Sequence, residues 1–436
     1  MSETLIKRAS KWVGNIPIGW RLTPLKYVCT YNDETLSDNT DPTFEFDYID
    51  ISSVNSTDEI TSTERLNFAD APSRARRVVR ADDIIMSTVR TYLRAVAIIP
   101  ESKNQLIAST GFLVIRALQE AITPEYLGYV IKSDSFISAI EAESVGVSYP
   151  AINASEAVKN YIPVPPLDVQ RSIVAFLDSR CKPIDEAITR HRMIIDKLED
   201  YRRAVITKAV TKGLDENVPM KDSGIEWIGS MPANWSTTKL KFLCMSHNGV
   251  DYSSQDLCDQ NDDDALFVIR SSNLVNGAIV HGDDVYINKP VPANMLLRKG
   301  DLVIVRTNGS RRLVGKCALV TKNEKATAGA FMLICRSSLN PYIYWVLNSS
   351  LLAFHRGHFD TTTINQMSNE MLRNMIIPLP SHDQMIDIMS YLDYKCAAID
   401  EGVDRQEQVI ARLEEYRRSL IFHAVTGRID CTGGAR

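Results

Sequence analysis

Leu198-Glu199-Asp200-Tyr201-Arg202-Arg203 returns, 215 residues later, as Leu413-Glu414-Glu415-Tyr416-Arg417-Arg418. Matches spread outward at the same offset. Ala209-Val210-Thr211 pairs with Ala424-Val425-Thr426, and Ile184-Asp185-Glu186 with Ile399-Asp400-Glu401. Leu177, Asp178 and Cys181 match Leu392, Asp393 and Cys396. Near the start, Leu25, Lys26 and Cys29 match Leu240, Lys241 and Cys244. Trp12, Gly14, Pro17 and Trp20 match Trp227, Gly229, Pro232 and Trp235. A period of about half the chain is far too long for a solenoid repeat. The chain is a duplicated domain pair.

The duplication is uneven. From Leu177 to Asp215 roughly half the aligned positions are identical, while between Tyr31 and Ser155 the likeness falls to fragments. Each copy therefore has a variable globular part and a constant helical part. This predicts globular domains over 1–160 and 216–375 and helical regions over 161–215 and 376–436. The globular parts read as α+β. Apolar runs bounded by turn residues, Tyr48 to Val54, Asp83 to Met86, Ala95 to Ile99 and Phe112 to Ile115, read as strands. Pro124 and Pro341 open helical patterns. Ile162-Pro163-Val164-Pro165-Pro166 and Ile377-Pro378-Leu379-Pro380 read as domain edges, because proline removes a donor and disfavours helix before itself.

In the constant part Leu177, Cys181, Ile184, Ile188, Ile195, Leu198, Val205 and Ala209 recur at alternating fours and threes, a heptad seam. The second copy repeats it with Leu392, Cys396, Ile399, Val403, Ile410, Leu413, Leu420 and Ala424. His191 and Arg202 interrupt the first seam, and Gln406 and Arg417 interrupt the second at the same places. Polar seam residues cost stability and fix register and partner. The seam alone fits a dimerisation coil as well as a pair within the chain. The duplication favours the internal pair, an antiparallel coiled coil holding the globular domains apart in opposite orientations.

Composition is that of an ordinary globular chain, 44% hydrophobic and 24% charged. No apolar run is long enough for a membrane span, and Met1 to Lys11 shows no apolar leader core, so a cytoplasmic protein is expected. The eight cysteines form no CxxC pair and read as small hydrophobes. His355 and His358 lack further ligands nearby, so no metal site is expected. A net charge of −5 runs against nucleic-acid binding unless local faces are basic.

In order and repetition the motifs resemble type I restriction–modification specificity subunits over nearly the whole length. Those that carry the likeness are Asp222-Ser223-Gly224-Ile225-Glu226-Trp227-Ile228-Gly229 with Met231-Pro232 and Trp235, Val268-Ile269-Arg270-Ser271-Ser272-Asn273, Lys299-Gly300-Asp301-Leu302-Val303, and Pro378-Leu379-Pro380 followed by Gln384. The first copy departs from the pattern, with Asp82-Asp83 in place of Gly-Asp. The resemblance implies two target recognition domains, each reading half of a split site in double-stranded DNA, with the helices setting the gap. It implies two methyltransferase subunits as partners and, optionally, two restriction subunits. No cofactor is expected on this chain; S-adenosylmethionine would serve the methyltransferase partner. An S-like decoy, and the specificity subunit of a methylation-only or type II system, are the alternatives.

Base edges are read by Arg, Asn and Gln, and phosphates are met by cations. The first domain offers Arg74, Arg76, Arg77 and Arg80, then Arg90 and Arg94 flanking Tyr92. The second offers Arg270, Arg306, Asn308, Arg311, Arg312 and Lys316. No GxGxxG or P-loop appears, and Asn340-Pro341-Tyr342 reads as a helix start and not as an adenine-methylase motif. The expectation is a non-catalytic subunit. Replacing Tyr31 to Ser155 with another such domain should change one half of the methylated motif only. A change in both halves, seen by methylated-adenine mapping, would show that the halves are not read independently.

Overall fold

The seam is realised as two unbroken helices, Leu167–Lys212 of 46 residues and His382–Val425 of 44. At about 1.5 Å per residue they run about 69 and 66 Å. Asp168 and Asp383 lie in the first turns, Lys212 and His423 in the last, complementing the helix dipoles. Gly427 (φ +70°) follows the second helix in the left-handed conformation, and a Cβ there would approach Pro17 Cγ to 2.3 Å. Pro183 lies exposed inside the first helix, which continues through it. The computed structural model describes residues 13–54, 60–146, 150–356 and 366–432, so Met1 to Trp12 and His358 lie outside the described residues.

Packing divides the chain into two units, Met1–Arg192 with Glu407–Arg436, and Met193–Gln406. Each unit thus holds part of each long helix. The proline-rich segments are strands within the units. Tyr161–Val164 pairs antiparallel with Arg21–Pro24, and Ile376–Leu379 with Ser236–Lys239. A two-stranded ribbon leaves outer positions at which proline's missing donor is harmless.

In the first unit one four-stranded antiparallel sheet runs Cys29–Tyr31, Phe112–Ala117, Ile84–Ser87, Val96–Ile98. A second runs Glu64–Asn67, Glu45–Ile49, Leu106–Ser109, Ala75–Val79, its central pair parallel. The strand expected over Tyr48 to Val54 ends at Ile49. Asp50 there accepts a bond from Ser52 N (3.2 Å) and starts a 3₁₀ turn, Ile51–Ser53. The second unit has two corresponding sheets, with the parallel pair of the second lying at one end. Its first sheet runs Met245–Asn248, Met332–Arg336, Leu302–Val305, Cys317–Leu319. Its second runs Leu257–Cys258, Tyr286–Ile287, Leu266–Ile269, Ala326–Ala328. Ile84–Ser87 and Leu302–Val305 are buried at every position, which accounts for their unalternating apolar runs.

Helices Pro124–Lys132 and Asn340–Leu347 begin with proline in the first turn, as expected. Each offers a buried tyrosine hydroxyl to the proline strand, Tyr126 to Pro163 O (3.0 Å) and Tyr342 to Pro378 O (3.1 Å). Each core extends onto both long helices. In the first unit Leu177, Cys181, Ile184 and Ile188 share a cluster with Leu420, Ile421 and Ala424. In the second, Ile206, Ala209 and Val210 share one with Leu392, Cys396 and Trp235. Ile195, Leu198 and Val403 are half-buried, and Ile410 and Leu413, also half-buried, pack against the first unit's core. Ile399 remains buried at 8% exposure.

Arg202 Nε donates to Asp400 (2.8 Å), and Arg417 Nε lies 2.8 Å from Asp185, each pair joining the two helices within its own unit. The seam's arginine interruptions are therefore partnered, and the partners run antiparallel. A second duplicated pair lies in the globular cores. Arg116 donates to both oxygens of Asp83 (2.8 Å each), and Arg336 to both of Asp301 (2.8 and 2.5 Å). Asp83 and Asp301 are almost wholly buried and also cap the turns before their strands through Arg80 N and Arg298 N (2.9 Å each). Removing one partner of such a pair strands a buried charge. Arg336→Met should therefore cost about 3 kcal/mol of stability, measured by urea unfolding; a loss under 1 kcal/mol would mean that the pair is dispensable.

Candidate nucleic-acid interface

Strand registers align the two units residue by residue. Ile49 faces Ala108 across the parallel ladder as Ile269 faces Ala328, and Ser87 faces Phe112 as Val305 faces Met332. The bridge Val89–Ala151 recurs as Thr307–Gln366. The loops leaving these strands are thus equivalent, but their residues are not. Asp50 stands where the second unit has Arg270, Thr88 where it has Arg306, Val89 for Thr307, Arg90 for Asn308 and Gly111 for Phe331.

In the second unit these loops surround a cleft of about 740 Å³, lined among others by Asp251, Tyr252, Arg270, Ser271, Asn308 and Phe331. Arg270 is held by a bond to the Asp283 carboxylate (2.9 Å). Asn308 Nδ2 donates to Ser271 Oγ (3.2 Å), and its Oδ1 accepts from Ser310 N (2.9 Å) and shapes the loop. Arg306 donates two bonds to the Gln366 side-chain oxygen (2.8 and 3.1 Å) and so braces the cleft instead of facing into it. Arg311 and Arg312 sit exposed on the following 3₁₀ turn, Arg311–Leu313, with Arg312 3.9 Å from Glu199. Lys316 lies elsewhere, lining a smaller pocket with Arg202, Tyr344 and Asp400, where burial pushes its pKa down.

The first unit spends more of its expected cations internally. Arg76 stacks 4.7 Å from the Phe68 ring and donates to Ala75 O (3.0 Å). Arg77 donates to Thr35 Oγ1 (3.3 Å), and burial lowers its pKa. Arg80 pairs with Glu34 (2.6 Å), and Arg94 bonds to Asp134 beside the helix pair. Arg74, Arg90 and Tyr92 remain exposed, Arg90 in the left-handed region at φ +51°. Arg74 lies 3.7 Å from Asp50. Both units thus present a few exposed polar and aromatic groups on matched loops. Sequence reading missed Tyr252, Ser271, Thr307 and Phe331, which carry no charge.

The methylase-like tripeptide is structural. The buried Asn340 amide donates to Gly300 O and Cys335 O (2.8 Å each), and Tyr342 is bonded to Pro378 O. Among the described residues no three His, Cys, Asp or Glu side chains are placed to hold a metal, and no helix is long and apolar enough to cross a membrane.

Residues 17–199 match the type I restriction modification DNA specificity domain. The chain is similar to the StySPI specificity subunit of Salmonella potsdam, 26% identical over 206 residues, covering 46% of this chain and 44% of that one. It thus matches less than half the length of that subunit. It is also similar to the putative MjaX specificity subunit of Methanocaldococcus jannaschii, 26% identical over 440 residues, 96% of this chain and 95% of that one. A solved chain from a study of assembly and conformational transition of the type I R-M system shares the fold. That likeness has a TM-score of 0.61 at 24% identity and covers 95% of this chain and all of the other. These likenesses agree on one family to which the chain is similar, the type I restriction enzyme specificity subunits.

Asn340→Ala would leave two buried carbonyls without their donor and should cost about 2 kcal/mol, read by urea unfolding. Unchanged stability would mean that the amide has a role other than bracing this turn.

Proposed function

We propose that the chain reads a split site in double-stranded DNA, one half with each unit, and positions two methyltransferase subunits, with restriction subunits joining where present. The observation that carries this reading is the contrast between constant frame and variable loops. The Arg–Asp pairs, proline strands and helix seam are duplicated, while five matched loop positions all differ. A frame kept twice with different polar groups at its exposed loops suits two different base sequences. The chain itself would then carry no catalytic centre, and S-adenosylmethionine would belong to the methyltransferase partner. The register of the helix pair is proposed to fix the unspecified gap.

For individual residues, Arg270 and Asn308 are proposed to read bases, since forked donors match base edges. Arg74, Arg90, Arg311 and Arg312 are proposed to meet phosphates, with Tyr92 beside them. Arg76, Arg77, Arg94, Arg306 and Lys316 would act in the frame. A cytoplasmic location follows from this role.

The test is a map of methylated adenines in the host genome with and without the gene. One motif of two short blocks around a gap should vanish on deletion. An unchanged map in cells that express the chain with its partners would overturn the reading.

A further inference from the structure

Phe331 is the most conspicuous difference between the two loop sets. Its ring is 68% exposed, an unusual state for a phenylalanine, and the aligned position in the first unit is Gly111, which has no side chain. The residue is not on a loose loop. Its carbonyl accepts bonds from both Arg306 N (2.8 Å) and Thr307 N (3.1 Å). The turn before it packs backbone against backbone, so that a Cβ on Gly249 would come within 2.1 Å of Gly329 O. A fixed turn thus holds an apolar ring out at the rim of a cleft that Arg270, Ser271 and Asn308 also line. Thr307 Oγ1 in that lining is buried with no hydrogen-bond partner.

We propose that Phe331 is a specificity-determining residue of the second unit, packing its ring against the 5-methyl group of a thymine in the major groove. This rests on the DNA-reading function proposed above. The chemistry follows from the neighbours. Arg270, Ser271 and Asn308 share the cleft with Phe331 and are groups that bond to base edges. A ring fixed beside those groups in one cleft would meet the base edges they read. On the major-groove edge the methyl of thymine is the apolar feature that distinguishes one base from the others. An exposed ring adjoining polar readers gains by covering that methyl, since burying apolar surface is favourable. The first unit, with Gly111 there, makes no such contact and reads its half by polar groups.

The experiment uses the chain in complex with its methyltransferase subunits and duplexes carrying the split motif found by methylation mapping. Affinity is measured by fluorescence anisotropy for wild type, Phe331→Ala and Phe331→Leu. Phe331→Ala should weaken specific binding by about tenfold and leave binding to unrelated duplex unchanged, while Phe331→Leu keeps most of the affinity. Each thymine of the second half-site is then replaced by deoxyuridine, which lacks the methyl. One replacement should weaken wild type to the level of Phe331→Ala and add nothing to that variant's loss. The inference is overturned if no deoxyuridine position behaves so, if the sensitive position lies in the first half-site, or if Phe331→Ala weakens unrelated DNA equally. If wild type shows no preference for the motif at all, the DNA-reading function itself fails.

Discussion

The reciprocal ion pairs between the long helices, Arg202 with Asp400 and Arg417 with Asp185, are the constraint on which the rest of the structure depends. A seam of Leu, Ile, Val and Ala is permissive, because sliding one helix by a heptad meets similar residues again. An arginine in that seam is not permissive. A slide of seven residues would carry it about 10 Å from its carboxylate, and in one direction it would set Arg417 against Arg192. The pairs therefore contribute attraction in this register and a penalty on the slide that brings Arg417 to Arg192. Register matters beyond the helices because each globular core is completed by segments of both. Leu177 and Leu420 share one cluster, Val210 and Leu392 the other.

The same logic separates frame from reader inside each unit. Asp83 and Asp301 tie a central strand to its neighbour through an arginine, and the tyrosine-to-proline-strand bonds fix the following helix. None of these contacts involves the loops that leave the strands at Ile49, Ser87 and Ser109, or at Ile269, Val305 and Gly329. Those loops can exchange Arg for Asp or Phe for Gly without disturbing the core. The first unit makes more internal use of its arginines than composition suggests, and its exposed loops differ accordingly.

Much of the fold was legible because duplication and periodicity are one-dimensional signals. The seam, the helix starts at Pro124 and Pro341, and the strands around Ile84 and Phe112 all repeat at short range. What the sequence concealed was pairing at long range. Arg202 and Arg417 stood out as interruptions, but their partners Asp400 and Asp185 looked like ordinary surface carboxylates until the antiparallel register joined them. The proline-rich segments read as edges because proline breaks helix, yet a two-stranded ribbon accommodates it equally well. At the candidate site a count of cations could not tell Arg90, exposed on its loop, from Arg76, stacked on Phe68. Phe331 carries no charge, and only its exposure in the folded chain marks it.

The net charge of −5 fits this division. Of the cations the sequence offered for nucleic acid, Arg76, Arg77, Arg80, Arg94, Arg306 and Lys316 are engaged within the frame. What stands at the loops is a small set of polar and aromatic groups with few charges. Affinity for DNA grows with the number of phosphates neutralised, whereas discrimination grows with the fit to base edges. On the function proposed above, a chain built this way would distinguish sequences better than it holds them, and partner subunits would supply the basic surface needed for tight binding. Under that proposal an acidic chain suits the reading role, because its charge would disfavour indiscriminate contact and only the matched loops would favour approach.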